Sequence, residues 1–392
     1  MYLVSDARSR IGVIANGYIY LDNAGAGPLP VDTVEAVMNY VEKWYSNGEP
    51  WIEGLEALER SKHRFAELIN ASYHEVAAFP GLTYGLNTLL SSLKIPRGSN
   101  IIATDLNFPT SLYTLHAMKR SGLVSEVRII KSRDGIVSLS DIEKVIDDKT
   151  YALVIDHVSW ISGYKFDIRE ISKIAHEKGA LVIVDGFHAV GVIPVNVKYL
   201  DVDMYLTGTY KWLMSLHGGG FGYVKSEFLE DLTPSYSGWF AIEDSPTHRM
   251  RLYGEEMFRE PFNIDDLRLS KSASKLEWGT NPLTIFVGVE ASLNFIMKYD
   301  APGKYNIHTE YLVRKLMRGL EELGCKVLTP EESKAAIVVF ESRDPYYVQE
   351  KMFEKRIVVS ARPGIVRISP HFYNSVEDIN AVLQTLSELK IC

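Results

Sequence analysis

"LVIVDGFHAVG", residues 181–191, runs through four aliphatic side chains without a polar break and then turns to aspartate, glycine and histidine. An unbroken, β-branched run of this kind reads as a strand covered on both faces, as in a parallel sheet. Similar runs recur along the chain: "VAAF" (76–79), "NIIAT" (100–104), "EVRII" (126–130), "YALVI" (151–155), "DMYL" (203–206) and "GFGYV" (220–224). Between them lie amphipathic helical stretches such as "DIREISKIAHEKG" (167–179), with an aspartate near the start and a glycine at the stop. The alternation predicts an α/β fold, a mostly parallel seven-stranded sheet flanked by helices.

Near residue 300 the character changes. The long amphipathic stretch "YNIHTEYLVRKLMRGLEELG" precedes the short runs "CKVL", "AIVVF", "IVVS" and "IVRIS", and the helical pattern "SVEDINAVLQTLSELK" closes the chain. These predict a smaller α+β C-terminal domain. The expected division is a large domain over 23–296 and a small one from 1–22 and 297–392. Residues 226–275 are rich in Trp, Tyr and Phe with little periodicity, which suggests a lid or a partner-binding segment.

With 392 residues and 46% hydrophobic content, the chain is long enough to bury one large core and a second, smaller one. A net charge of −8 argues against a general affinity for nucleic acid or anionic membranes. Cys325 and Cys392 are too few for a disulfide framework, and neither they nor the ten histidines show metal-ligand spacing, so no metal is expected. No apolar run approaches the ~18 residues of a spanning helix, and the N-terminus lacks a secretory apolar region. A soluble, cytoplasmic protein is expected.

Ligands in open parallel sheets sit beyond the carboxyl ends of the strands, so the residues there sample the pocket. After "VAAF" comes "PGLTYGLN", a glycine turn feeding a helix whose free amides make an anion site near Thr83. A hydroxyl there also serves as an ordinary helix cap. After "NIIAT", Phe108 precedes a proline at a helix start. After "LVIVD", Asp185 ends an apolar run, with His188 three residues on. Lys211 follows within "TGTYKWLMSLHGGG" (207–220), a stretch with no other charged side chain and three glycines after it. A phosphate cradle, an aromatic plate, a carboxylate for a ring nitrogen and a desolvated lysine are what pyridoxal 5'-phosphate requires. Burial lowers the lysine pKa and leaves the neutral amine that bonds an aldehyde. The glycines read as backbone kept thin where cofactor, strand and helix meet.

At this point the sequence resembles the class V aminotransferases of fold type I, the group that includes cysteine desulfurases, kynureninases and isopenicillin N epimerase-like proteins. The resemblance runs from "YLDNAGAGPLP" (20–30) to "VRISPHFYNSVEDI" (366–379), in the family's order. It implies a Schiff base on Lys211 in "TGTYKWL", Asp185 as the pyridinium partner and His188 beside the ring hydroxyl in "VDGFHAVG". Thr83, with Leu82 in place of the family's first threonine, and Tyr210 are implied at the phosphate, together with Thr207 at the cofactor. Phe108 in "NFPTSLY" is implied to cover the ring, with Ser159 in "DHVSWISG" near the ring hydroxyl. "LEWGTNP" implies that Thr280 reaches a neighbouring subunit's phosphate, hence a homodimer with shared sites. Arg367, with Asn23, is implied to grip a substrate α-carboxylate.

The resemblance implies an enzyme acting at the α-carbon of an amino acid, an aminotransferase or epimerase-like protein. A kynureninase-like or cysteine-type lyase is the alternative, and a non-catalytic subunit a weaker one. Desulfuration through a cysteine persulfide is disfavoured, because no cysteine lies on the loop before the final strands. A nucleotide-binding fold is disfavoured as well: "HGGGFGYV" leads into a strand, and no G-x-x-x-x-G-K-[ST] is present.

Overall fold

The aliphatic runs fold as the strands they predict. The computed structural model describes residues 2–243, 268–299, 306–333 and 335–391. After a short β1 (Ile19–Tyr20) come β2 (Val76–Phe79), β3 (Asn100–Thr104), β4 (Glu126–Ile130), β5 (Thr150–Asp156), β6 (Leu181–Asp185), β7 (Met204–Gly208) and β8 (Gly220–Val224). These last seven form one sheet in the order β2-β8-β7-β6-β5-β3-β4. Pairings are parallel from β7 across to β4, whereas β8 runs antiparallel to both β7 and β2. Helices cover both faces, and the buried aliphatic side chains fall into two large clusters on either side of the sheet.

One strand departs from its expected burial. "EVRII" forms β4, but only Ile130 of it is buried. It is the sheet's edge, paired with β3 alone, so it is open to solvent, and its Arg128 forms ion pairs with Glu126 and Asp147.

The C-terminal part is built on β9 (Val338–Glu341), β10 (Ile357–Val358), β11 (Ser360–Arg362) and β12 (Ile365–Ile368). "CKVL" is not a strand: Val327 makes one isolated bridge to Phe340, and Cys325 is buried in the small core beside it. "IVVS" is split at Val359. Ile357–Val358 pairs in parallel with Ile19–Tyr20, while Ser360–Arg362 turns to pair with β12. Helices Asn306–Glu322 and Val376–Leu389 pack on this layer. The N-terminal segment serves both regions: Ala7, Ile11 and Ile14 join the large core and Leu21 the small one. Of the aromatic-rich stretch 226–275, expected as a lid or a partner-binding segment, residues 244–267 lie outside the described residues, as does Cys392. Among the described residues no helix is long and apolar enough to cross a membrane.

In the large sheet, chain order reverses between β3 and β5. The crevice beyond the carboxyl ends of these strands is where such sheets bind ligands. Asn107 and Phe108 follow β3, Asp156 ends β5, Asp185 ends β6 and Lys211 follows β7.

Candidate active site

Lys211 is 5% exposed, and its surroundings explain how a chain can bury an amine there. The Nζ lies 4.1 Å from the centre of the Phe187 ring, 5.3 Å from that of Phe108 and 5.9 Å from that of Tyr210. It also lies 3.1 Å from His188 Nε2. Burial disfavours the ammonium, and Arg367 repels it further, so the pKa falls to about 7. The tautomer of His188 agrees. Its Nδ1 accepts from the Trp212 indole N–H at 3.4 Å, so the ring proton sits on Nε2 and points at Lys211. Only a neutral amine can accept that proton.

Asp185 ends β6 in the apolar interior, and burial raises its pKa to about 6, although the Phe187 N–H donates to its Oδ1. A cation beside it would reverse that direction. Asp156, one strand over in register, is pushed up more strongly by burial and by Asp185. Its carboxylate accepts from the Phe108 N–H at 2.8 Å and from the Asn107 side-chain amide at 3.1 Å, and so pins the loop that carries Phe108.

A cavity of about 250 Å³ opens beside these groups, lined among others by Gly81, Leu82, Thr83, Phe108, Asp185, Phe187 and Tyr210. Helix Leu82–Ser91 begins at its edge, and Gly85 supplies the first amide that pairs back to Gly81. The amides of Leu82, Thr83 and Tyr84 therefore lack intrahelical partners and face an anion with the positive end of the helix dipole. The wall opposite is backbone. A Cβ on Gly220 would sit 2.8 Å from the Gly81 carbonyl carbon, and one on Gly208 would sit 2.4 Å from Phe187 Cζ. Pyridoxal 5'-phosphate fits this donor set: an anion end, a slot between phenyl rings, a carboxylate at the far end and an uncharged amine.

The structure brings Lys211, Asp185, His188, Thr83, Leu82, Phe108 and Tyr210 together as expected from sequence. Other expected residues sit elsewhere. The Thr207 hydroxyl donates to Gly208 O, and Thr207 does not line the cavity. Ser159 is fully buried, with its hydroxyl donating to Leu106 O and accepting from the amides of Ile161 and Ser162, so it shapes a turn. Asn23 is committed to protein partners: its Nδ2 donates to Ser369 O, and its Oδ1 accepts from Tyr373 OH, each at 2.7 Å. Thr280 is exposed, away from the cavity, and accepts from the Trp239 indole. Arg367 is 3% exposed on β12, donates from Nη1 to Trp160 O, and keeps a buried Nε with no partner. Burial lowers its pKa to about 10.

Sequence reasoning missed Phe187, His217, Asp156, Asp22 and Arg362. His217 stacks on Tyr210 with centroids 3.9 Å apart. For Phe187 the usable signal is the glycine at 208, which leaves room for a large ring on the adjacent strand end.

A family model described as "Aminotransferase class-V" matches residues 19–382. The uncharacterized aminotransferase YcbU of Bacillus subtilis (strain 168) is 26% identical over 90% of this chain and 89% of its own length. The kynureninase of Pseudomonas fluorescens is 25% identical over 96% of this chain and 90% of its own. Among solved structures, the apo cysteine desulfurase from Thermococcus onnurineus NA1 superposes with a TM-score of 0.83 at 25% identity, covering 98% of this chain and 97% of that one.

Proposed function

The chain belongs to the class V aminotransferase family, and from that premise we propose that it transfers the amino group of an amino acid, with Lys211 carrying the proton at the α-carbon. It is a pyridoxal 5'-phosphate enzyme. The bound cofactor supplies an aldehyde that captures the amine and a ring that draws electrons from the α-carbon. The helix terminus at Leu82 and Thr83, with Tyr210, would hold the phosphate. Asp185 would keep the ring nitrogen protonated, and Phe108 and Phe187 would line the faces of the ring. Lys211, its ammonium disfavoured by burial, takes the α-proton and returns it. Arg367, whose buried Nε has no partner, would hold the α-carboxylate.

The observation that carries this reading is the buried amine of Lys211 held between the rings of Phe108 and Phe187. Desulfuration through a persulfide calls for a thiol near the amine. Here β11 and β12 are joined by Pro363 and Gly364 alone, and Cys325 is buried in the small core. A lyase is the second reading. Relatives named cysteine desulfurase and kynureninase favour it, and elimination needs no thiol. A homodimer is part of the proposal, with Thr280 of the partner subunit reaching the phosphate. In support, Thr280 is exposed, and helix Val31–Asn47 bares Val34, Met38, Val41 and Tyr45 at helical spacing.

The test is chemical. The purified protein is expected to be yellow, and borohydride is expected to fix the cofactor irreversibly to Lys211, as read by peptide mapping. Label on another lysine, or a colourless protein that takes up no pyridoxal 5'-phosphate, defeats the reading. Incubation with an amino-acid panel then separates transfer, which yields the 2-oxo acid, from cleavage, which yields pyruvate, sulfide or alanine.

A further inference from the structure

The β11–β12 hairpin carries two guanidinium groups where one suffices for an α-carboxylate. Ser360 pairs directly with Arg367, and Arg362 stands two residues beyond Ser360 on the same strand. Directly opposed residues share a face, as do residues two apart along a strand, so Ser360, Arg362 and Arg367 point the same way. The contacts bear this out. The Ser360 hydroxyl oxygen accepts from Arg362 Nη1 at 2.7 Å and from Arg367 Nη2 at 3.5 Å. Two like charges thus converge on one oxygen, an arrangement that is costly unless anions answer it.

One carboxylate answers in part. Asp22 Oδ1 lies 3.5 Å from Arg367 Nη2 and makes no hydrogen bond. Donors remain on both arginines. Arg367 Nε is buried without a partner, and the hydrogen bonds of Arg362 among the described residues use Nη1 alone, to Ser360 and Ala361 O. Arg367 also donates to Trp160 O, and Trp160 packs edge-on against Phe108 in the cavity wall, so the hairpin abuts the Lys211 pocket.

We propose that the site takes an amino acid whose side chain carries a second carboxylate, with Arg367 holding the α-carboxylate and Arg362 the distal one. This rests on the reading of Lys211 and Arg367 given above and narrows its substrate class. Asp22 then has a defined part. Burial already pushes its carboxyl upward against the pull of Arg367 and Arg362, and a substrate carboxylate set against Arg367 would push it the same way.

The test compares each dicarboxylic amino acid with its side-chain amide. For the holoenzyme, the KM values of aspartate and glutamate are measured against asparagine and glutamine. A calorimetric arm titrates succinate and glutarate against their monoamides, which needs no turnover. At least one acid is expected to bind about tenfold more tightly than its amide, as a charge-assisted pair implies. Arg362→Met is expected to collapse that ratio, and Arg362→Lys to restore part of it. Equal or better binding of the amides by the wild type overturns the proposal. So does an Arg362→Met variant that weakens acid and amide alike while keeping the cofactor's visible absorbance. Failure of the cofactor reading shows separately, as a colourless protein or a label away from Lys211.

Discussion

The pocket has two halves made of different material. Around Lys211 the walls are backbone and uncharged rings: Gly81, Gly208 and Gly220 let chains approach, and Phe108 and Phe187 flank the amine. Around Arg367 the groups are charged side chains from two parts of the chain, Asp22 near its start and Arg362 and Arg367 on one hairpin. The first half suits any amine that can reach an aldehyde, because nothing in it reads a side chain. The second half is where charge selects the substrate. Chemistry and selectivity are therefore separable by mutation, and each half should fail in its own way.

The sharpest break is expected on the backbone side. Gly27 donates its N–H to Tyr210 O at 2.8 Å, and a Cβ there would lie 2.0 Å from Lys211 O and 3.1 Å from Met214 Cα. No flexible side chain can give way, because the neighbours are main chain. Gly27→Ala is expected to cost about 3 kcal/mol, the upper end for overpacking, and to release the cofactor. Thermal unfolding and the visible absorbance check both. Gly12→Ala, with nothing within 4 Å of the added Cβ, is the control expected to leave both unchanged.

Asn23 lies between the halves and tests where the boundary runs. If it grips the substrate carboxylate, Asn23→Ala raises KM and spares stability. Its hydrogen bonds to Ser369 and Tyr373 predict the opposite, because the variant leaves a buried carbonyl and a buried hydroxyl unpaired. A stability loss of about 1–3 kcal/mol is expected, with a smaller change in KM than Arg367→Met produces. Denaturant unfolding and steady-state kinetics decide between them.

How much of this was legible in the sequence divides along the same line. The grouping of Asp185, Thr83 and Lys211 was legible because each follows a buried strand, next to a local signal: Asp185 after "LVIV", Thr83 after a Pro-Gly turn, Lys211 in a stretch with no other charge. Thr207 stands apart from that group because β7 alternates. Gly208 faces Phe187, and the preceding residue points away from the cavity. Phe187 was passed over because an aromatic between apolar neighbours ordinarily fills a core. The substrate half was mostly illegible. Arg362 meets Arg367 only through the register of a two-residue hairpin, and Asp22 joins them from the other end of the chain. Short runs such as "CKVL" and "IVVS" failed for a related reason. Their pairing partners, not their own residues, decide whether they become strands.

The smallest effect expected is also the one that links the halves. A lysine at its ordinary pKa of 10.5 would be protonated throughout the neutral range, and uptake of pyridoxal 5'-phosphate by cofactor-free protein would rise about tenfold for each pH unit with no plateau. Burial and the two arginines disfavour the ammonium, so the group loses its proton at about 7 instead. The neutral fraction then rises about tenfold between pH 6 and 8 and levels off above that. The initial rate of growth of the visible absorbance, followed across this range, should trace that curve. Arg362→Met removes one repelling charge, so the midpoint should move to higher pH, by less than burial alone has moved it down. A rate that climbs without a plateau would mean that Lys211 keeps its charge in the pocket. A midpoint indifferent to Arg362 would mean that the charged half does not reach the neutral one.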